Sequence, residues 1–270
     1  MSFESLTYET RDGIAFVTMN RPDKRNALDI TMRNELSQVV LEMRNDKSLF
    51  AAIITGAGGA FCAGGDLQGL ADGKATPSET RRRIQDIYVW LYELISLELP
   101  VITAVDGAAY GAGINIALAG DFILASTRAR FSEVFGRIGL VPDVGGFFLL
   151  PRIVGLQKAK ELIFSARSFG PEEAKEWGIV YEIYEPDQLM DEAVKLAERF
   201  RHSSRDAIGI SKNILNQSFN QDFRGLGELE AFGQAVAHDS QYHSEAVARF
   251  LDKEPILFNW DEAEKASRGK

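Results

Sequence analysis

The sequence predicts a layered α/β body over residues 1–200 and an all-helical region over 201–270. Three observations predict it. Short β-rich runs at 14–19, 51–55, 101–105 and 122–125 are each followed by turn residues or a helical pattern. Two glycine-rich turns, GAGGAFCAGGDLQG (56–69) and GAAYGAG (107–113), each stand between such a run and a helix. From Ser203 onward only helical periodicity remains.

In order, residues 5–10 and 14–19 alternate around Asp12-Gly13, a hairpin pattern. RPDKRNALD (Arg21–Asp29) is polar and turn-like. Asp29 or Thr31 caps a helix reaching about Asn45, with Met32, Leu36, Val39, Val40 and Met43 on one face. A helix is expected over 79–98, ending before Pro100. Val101–Asp121 reads as strand, glycine turn and buried helix. Residues 130–146 read as irregular, 147–156 and 158–165 as helical, 171–178 as a helix opened by Pro and closed by Gly, and 179–184 as a strand. Helices follow at 187–200, 204–217, 222–238 and 244–253.

With 270 residues and 45% hydrophobic content, the chain can bury a large core. A net charge of −9 argues against a nucleic-acid or anionic-membrane partner; an anionic small ligand would need local basic groups. The single Cys62 excludes an internal disulfide and a cysteine metal cage, and fits a reducing cytoplasm. MSFESLTYET shows no signal-peptide pattern. Val101–Gly120 is long enough to span a bilayer, but Asp106, Asn115 and its glycines make it a core segment.

The turns Ala63-Gly64-Gly65-Asp66 and Gly111-Ala112-Gly113 each follow a strand and precede a helix. Two such turns can aim backbone N–H groups at one oxygen, an arrangement that stabilises developing negative charge; either alone is equally ordinary turn chemistry. Neither fits a dinucleotide fingerprint, since Ile116 and Phe61 stand where a further glycine belongs.

Across RPDKRNAL, AAIITGAGGAFCAGGDL, LPVITAVDGAAYGAGINIALAGD, GLVPDVGGFFLLPRIVG and PEEAKEWGIV, the chain resembles the crotonase superfamily, the enoyl-CoA hydratase/isomerase family. The resemblance implies a spiral of ββα units, a helical C-terminal trimerisation region, trimers often paired into hexamers, and an acyl-CoA substrate with no cofactor beyond its coenzyme A. It implies Gly65 and Ala112 as the N–H donors to the thioester C=O. Lys24, Arg25 and Ala27 would lie at the CoA nucleotide, and Thr55 to Asp66, with Ala63 and Gly64, beside the pantetheine arm, with Leu67, Tyr110, Asn115 and Phe135 also binding the substrate. Lys253 falls where a tail lysine approaches a neighbouring CoA. As solvated charges, the basic residues would need no such role.

Hydratases of this family use two glutamates, and here those positions hold Asn115 and Phe135. An amide and a phenyl ring cannot exchange protons. Glu133 lies two residues before Phe135, on the same face if the segment is extended. What remains is Asp143 in GLVPDVGG, a position where the family's isomerases carry a catalytic aspartate; it is otherwise a turn residue after Pro142. The wording there is most similar to the ring-1,2-epoxyphenylacetyl-CoA isomerase group and related enoyl-CoA isomerases. An apolar wall of Phe135, Ile138, Leu140, Val141 and Phe147 is expected to raise the Asp143 pKa. The expected reaction is a double-bond shift through an enolate, with Asp143 as acid and base. Hydration by non-standard residues, ring-epoxide or dehalogenase-type chemistry, and a silent crotonase-fold binding protein are the alternatives. Residues 67–95, with the charged piece 71–83, are the expected source of acyl specificity.

Overall fold

The computed structural model describes residues 3–67 and 75–268. The expected hairpin is β1 (Leu6–Arg11) against β2 (Ile14–Met19), antiparallel around Asp12 and Gly13. A short 3-10 turn at Pro22–Lys24 leads to α1 (Ile30–Asn45). The Asp29 carboxylate caps α1 by accepting from the Met32 N–H, and Met32, Leu36, Val39, Val40 and Met43 are buried as the periodicity requires. After β3 (Ala51–Gly56), α2 runs Pro77–Ile95. It starts earlier than the expected helix because Thr76 and Glu79 form a reciprocal capping box, and it closes three residues before Glu98. Residues 71–74 of the expected specificity piece lie outside the described residues; Pro77–Arg83 is the first part of α2.

The stretch 101–121 contains one element more than expected. β4 (Val101–Val105) is buried throughout, β5 (Ala108–Tyr110) follows, and α3 (Ala112–Leu118) closes the stretch. Next come β6 (Phe122–Ser126), β7 (Arg130–Ser132), a 3-10 turn at Val134–Ile138, and α4 (Gly146–Ser165), kinked at Gly155. Then follow α5 (Pro171–Glu176), β8 (Glu182–Tyr184), α6 (Leu189–Glu198), α7 (Arg205–Gln217), α8 (Phe223–His238), α9 (Gln241–Leu251) and α10 (Trp260–Arg268). Only 182–184 of the expected 179–184 strand pairs, beside the end of β6, while Ile179 and Val180 pack into the core instead. The region that reads as irregular holds β7, and α10 has no counterpart among the expected helices.

Six strands form one sheet in the order β1-β2-β3-β4-β6-β8, parallel from β2 onward; β5 and β7 form a second, two-stranded parallel sheet. One core lies between the main sheet and α1, α2 and α3; a second, around Ile53, Ile102 and Leu124, is covered by Leu189, Leu196 and Phe200 of α6 and the turn after it. α7 is fastened to the body through Lys212, whose Nζ donates to Asp121 Oδ2 (2.7 Å) and to the Leu99 carbonyl (3.2 Å). Helices α8 and α9 bury no residue.

The second sheet exists because β5 is held on both sides. Cys62 N donates to Ala108 O and Tyr110 N to Cys62 O, both at 2.9 Å, while β7 pairs along the other edge. This brings Gly113, in α3, against the Cys62 carbonyl: a Cβ on Gly113 would lie 2.2 Å from that oxygen. Its backbone is ordinary helix, so the demand for glycine here is steric. Gly113→Ala is expected to cost about 3 kcal/mol or more, read as a lowered midpoint in chemical denaturation; a midpoint within error of wild type would contradict the close approach.

Candidate functional site

Three extended segments run side by side, with Cys62, Ala109 and Phe131 in one row. Two residues further along the row stand Gly64, Gly111 and Glu133, and three further Gly65 and Ala112. The two glycine turns therefore leave the strip at the same end. Gly64 has φ 102°, and a Cβ there would lie 2.8 Å from the Tyr110 carbonyl oxygen and 3.8 Å from Ala112 N. The absence of a side chain thus lets the turn before Gly65 sit against the start of α3. Ala112 is the first residue of α3, so its N–H has no acceptor within the helix. Among the described residues, neither the Gly65 nor the Ala112 N–H donates a hydrogen bond.

The segment 21–28 is laid along the first turn. Leu28 N donates to Gly64 O (2.8 Å), Asp66 N to Leu28 O (3.2 Å) and Ala63 N to Arg25 O (2.9 Å). Ala63, Gly64, Asp66, Arg25 and Ala27 thus share one edge, with Lys24 and Arg25 exposed on it and Leu67 exposed beyond. Two residues not singled out from the sequence hold this edge. Asn26 is fully buried in the left-handed region (φ 57°), which Asn tolerates. Its Nδ2 donates to the Ala57 and Ala60 carbonyls (2.9 and 2.7 Å), and its Oδ1 accepts from Arg21 N (2.8 Å). Arg21 in turn reaches Asp66 (3.1 Å), Asp29 (3.2 Å) and the Ala27 carbonyl (2.6 Å). The Tyr110 hydroxyl accepts from Ser168 Oγ at 3.4 Å.

Beyond the second turn, a carboxyl cluster meets the end of α3. Asn115 is fully buried on α3, and its Nδ2 donates to the Asp143 carbonyl at 2.9 Å. Asp143 is half-buried, and the turn after it holds Val144 at φ 49°, strained for a β-branched residue by about 1–3 kcal/mol. The following Gly145 N–H donates to the Tyr88 hydroxyl of α2 at 3.4 Å, so part of the 67–95 region does reach this turn. Burial pushes the Asp143 carboxyl above the usual aspartate range, and the Arg33 guanidinium of α1 partly offsets this. Arg33, also not singled out from the sequence, is itself held below its ordinary value by burial and by Arg83.

The apolar wall expected around Asp143 is only partly built. Phe135 is buried, its ring close to Gly111, but Ile138, Leu140, Val141 and Phe147 are all largely exposed. The desolvation comes instead with the buried turn itself, Pro142, Val144, Gly145 and Gly146. Glu133 is also not placed by an extended face, because a 3-10 turn begins at Val134. It is 0% exposed all the same, and burial pushes its carboxyl up to about 8, with Asp143 adding to the rise and the Asn115 amide opposing it. Among the described residues no group of metal-ligand composition forms, and no helix is long and apolar enough to cross a membrane.

A family model described as enoyl-CoA hydratase/isomerase matches residues 9–262. A probable enoyl-CoA hydratase of Rhodobacter capsulatus is 36% identical over 262 residues, covering 96% of this chain and 99% of the relative. The 1,2-epoxyphenylacetyl-CoA isomerase of Escherichia coli is 31% identical over 257 residues, covering 94% of this chain and 98% of the relative. A crystal structure of an enoyl-CoA hydratase/isomerase from Cupriavidus metallidurans superimposes with a TM-score of 0.91 at 37% identity, covering 96% of this chain and 97% of that one. With the paired turns and the match along nearly its whole length, the chain belongs to the enoyl-CoA hydratase/isomerase family, the crotonase superfamily.

Proposed function

We propose that the protein shifts a double bond in an enoyl-CoA thioester, with Asp143 as the acid and base. The observation that carries this reading is Asp143 itself: a half-buried carboxyl with a raised pKa, whose backbone carbonyl accepts from Asn115 on the helix that Ala112 opens, in a chain whose hydratase glutamates are replaced by Asn115 and Phe135. The thioester oxygen would accept from the Gly65 and Ala112 N–H groups. Removal of an acyl-chain proton by the Asp143 carboxylate leaves an enolate whose charge those donors stabilise. The protonated Asp143 then returns the proton at another carbon, so the double bond moves and the enzyme is regenerated. A base with a raised pKa suits both halves of this transfer. Lys24 and Arg25, exposed on the edge beside Ala63 and Gly64, are proposed to meet the CoA phosphates.

The tail carries exposed Phe219, Phe223, Phe232, Val236 and Phe250, and this apolar surface is proposed to join copies of the chain as a trimer or a pair of trimers. Sedimentation equilibrium should then give a trimer or hexamer, and Phe223→Asp combined with Phe232→Asp should shift it toward monomer. A monomeric wild type would overturn the assembly.

The test of the reaction is a spectrophotometric assay of 3-enoyl-CoA substrates. Wild type should isomerise them, and Asp143→Asn should lower kcat by about 10²–10⁴-fold. Full activity in Asp143→Asn would remove Asp143 as the base; hydration of a 2-enoyl-CoA at a rate comparable to isomerisation would overturn the isomerase reading. Because the base must be ionised in the free enzyme, kcat/KM should rise with pH through an apparent pKa above the ordinary aspartate range. An acidic limb at an ordinary aspartate pKa would contradict the desolvation of Asp143.

A further inference from the structure

Four buried oxygens in this site have no hydrogen-bond donor: Asn115 Oδ1, both Glu133 oxygens and Asp143 Oδ1. The Asn115 amide faces Glu133 without making a hydrogen bond to either of its oxygens, and one of its protons is committed to the Asp143 carbonyl. Its side chain occupies the space that a side chain at Gly146 would take: a Cβ built on Gly146 would fall 2.6 Å from Asn115 Nδ2 and 3.0 Å from Oδ1. A buried acceptor without a donor costs about 1–3 kcal/mol, and several in one place cost more. The shortage is of donors, and a carboxyl group can supply one by keeping its proton.

We propose that Glu133 acts in this site as a neutral carboxylic acid, donating its O–H to Asn115 Oδ1 so that the amide stays turned toward the Asp143 carbonyl and Asp143 is the carboxyl that ionises. Glu133 is thus a positioning residue, acting through Asn115 and Asp143. The assignment of the proton rests on the groups that face each carboxyl. Asp143 is the charged group that faces Glu133 among the described residues, and it comes from the turn before α4. Asn115, from α3, is uncharged. Among the described residues no cation faces Glu133, whereas Arg33 of α1, with Arg83 of α2 behind it, faces Asp143. Two neighbouring buried carboxyls do not both ionise readily, and the one beside the guanidinium ionises first. The rise of the Glu133 carboxyl to about 8 agrees with this order. As the pH passes that value, a second negative charge enters the site beside the ionised Asp143, and Asn115 Oδ1 loses its donor.

This role deepens the isomerase reading and rests on it only for its kinetic consequence. The primary test is therefore made without substrate, by 13C-NMR titration of wild type labelled at the glutamate side-chain carboxyl, with Glu133→Gln assigning the resonance. The expected result is a single glutamate that titrates near 8, absent from the variant; a Glu133 resonance titrating in the ordinary glutamate range overturns the proposal. The same titration sets stability. A carboxyl whose folded pKa is raised favours the folded state fully below the ordinary glutamate pKa and progressively loses that contribution as pH rises toward about 8. Wild type should therefore lose thermal stability relative to Glu133→Gln across that window, and parallel stability curves overturn the proposal. In the isomerase assay, wild-type kcat/KM should fall on the alkaline side near pH 8. Glu133→Gln, which supplies a donor that cannot ionise, should lack that fall, with kcat at neutral pH within about tenfold of wild type; Glu133→Leu, without a donor, should lose more than Glu133→Gln. Retention of the alkaline fall in Glu133→Gln overturns the proposal, as does a loss in Glu133→Gln as deep as that of Asp143→Asn, which would make Glu133 a proton-transfer group. If no 3-enoyl-CoA is turned over, the isomerase reading fails while the carboxyl titration still decides the state of Glu133.

Discussion

The whole arrangement depends on one constraint: two backbone turns must touch with no side chain between them. The Cys62 carbonyl lies against Gly113, and the Tyr110 carbonyl lies against Gly64. That contact permits the hydrogen bonds that make Cys62, β5 and β7 a strip of parallel segments. Because the segments are parallel and in register, the residues next in each chain segment emerge at the same end. The backbones of Gly65 and Ala112 thus leave the strip at one end, the end at which Glu133 follows β7. Backbone donors fixed by a sheet need little reorganisation as charge develops, which is why such sites are effective at stabilising an enolate oxygen.

The carboxyl cluster is a different kind of construction. Its members are held by single contacts: Asn115 by its bond to the Asp143 carbonyl and its packing on Gly146, and Asp143 by a turn with a strained Val144. The strain is tolerated because Val144 is fully buried, so the packing that surrounds it over-determines its conformation. Placing a polar cluster with too few donors in such a setting is costly, and natural sites accept that cost where protons are to be moved. Asn115 stands where a hydratase would place a glutamate, and it donates to the carbonyl of Asp143, the residue proposed to transfer the proton.

Much of this is legible in the sequence, for reasons visible at particular residues. The hairpin at Asp12-Gly13 and the Asp29 cap with its buried face on α1 are local, so period and turn chemistry locate them, while the helix break expected at 157 falls at Gly155. β5 and β7 are three residues each, with partners distant in the chain, so no local period reveals them. The carboxylate of Asp143 is legible through the resemblance, but the sequence points to a partly wrong cause for its raised pKa, since most of the apolar residues expected as its wall face outward. Asn26 and Arg21 stand beside the more conspicuous Lys24 and Arg25. They act through hydrogen bonds to backbone carbonyls across the fold, which leave no pattern in a linear sequence. The burial of Glu133 is hidden for a related reason: its side chain is placed by the 3-10 turn that begins after it, where the alternation of an extended strand no longer applies.

The two constructions also tolerate change differently. A residue larger than glycine at 113 would drive its Cβ into a backbone carbonyl, so the turns cannot vary without moving the strip that makes the site. Residues 115, 133, 135 and 143 lie on α3, at the end of β7, in the 3-10 turn and in the turn before α4, and exchanging an amide for a carboxylate there alters the protons and polarity of the site while leaving the backbone contacts in place. On the proposed reading, the binding and polarisation of a thioester belong to the backbone turns, and the reaction to these four side chains. On the proposed reading, the aspartate beside Arg33 is the mobile proton site and the glutamate beside Asn115 holds its proton. A single base that both removes and returns a proton is the minimum a double-bond shift requires, whereas adding water across the bond also needs a water oriented for attack. Phe135 stands in place of the second hydratase glutamate with its ring packed on the Gly111 turn, so on the proposed reading that position offers a water neither an acid nor a base.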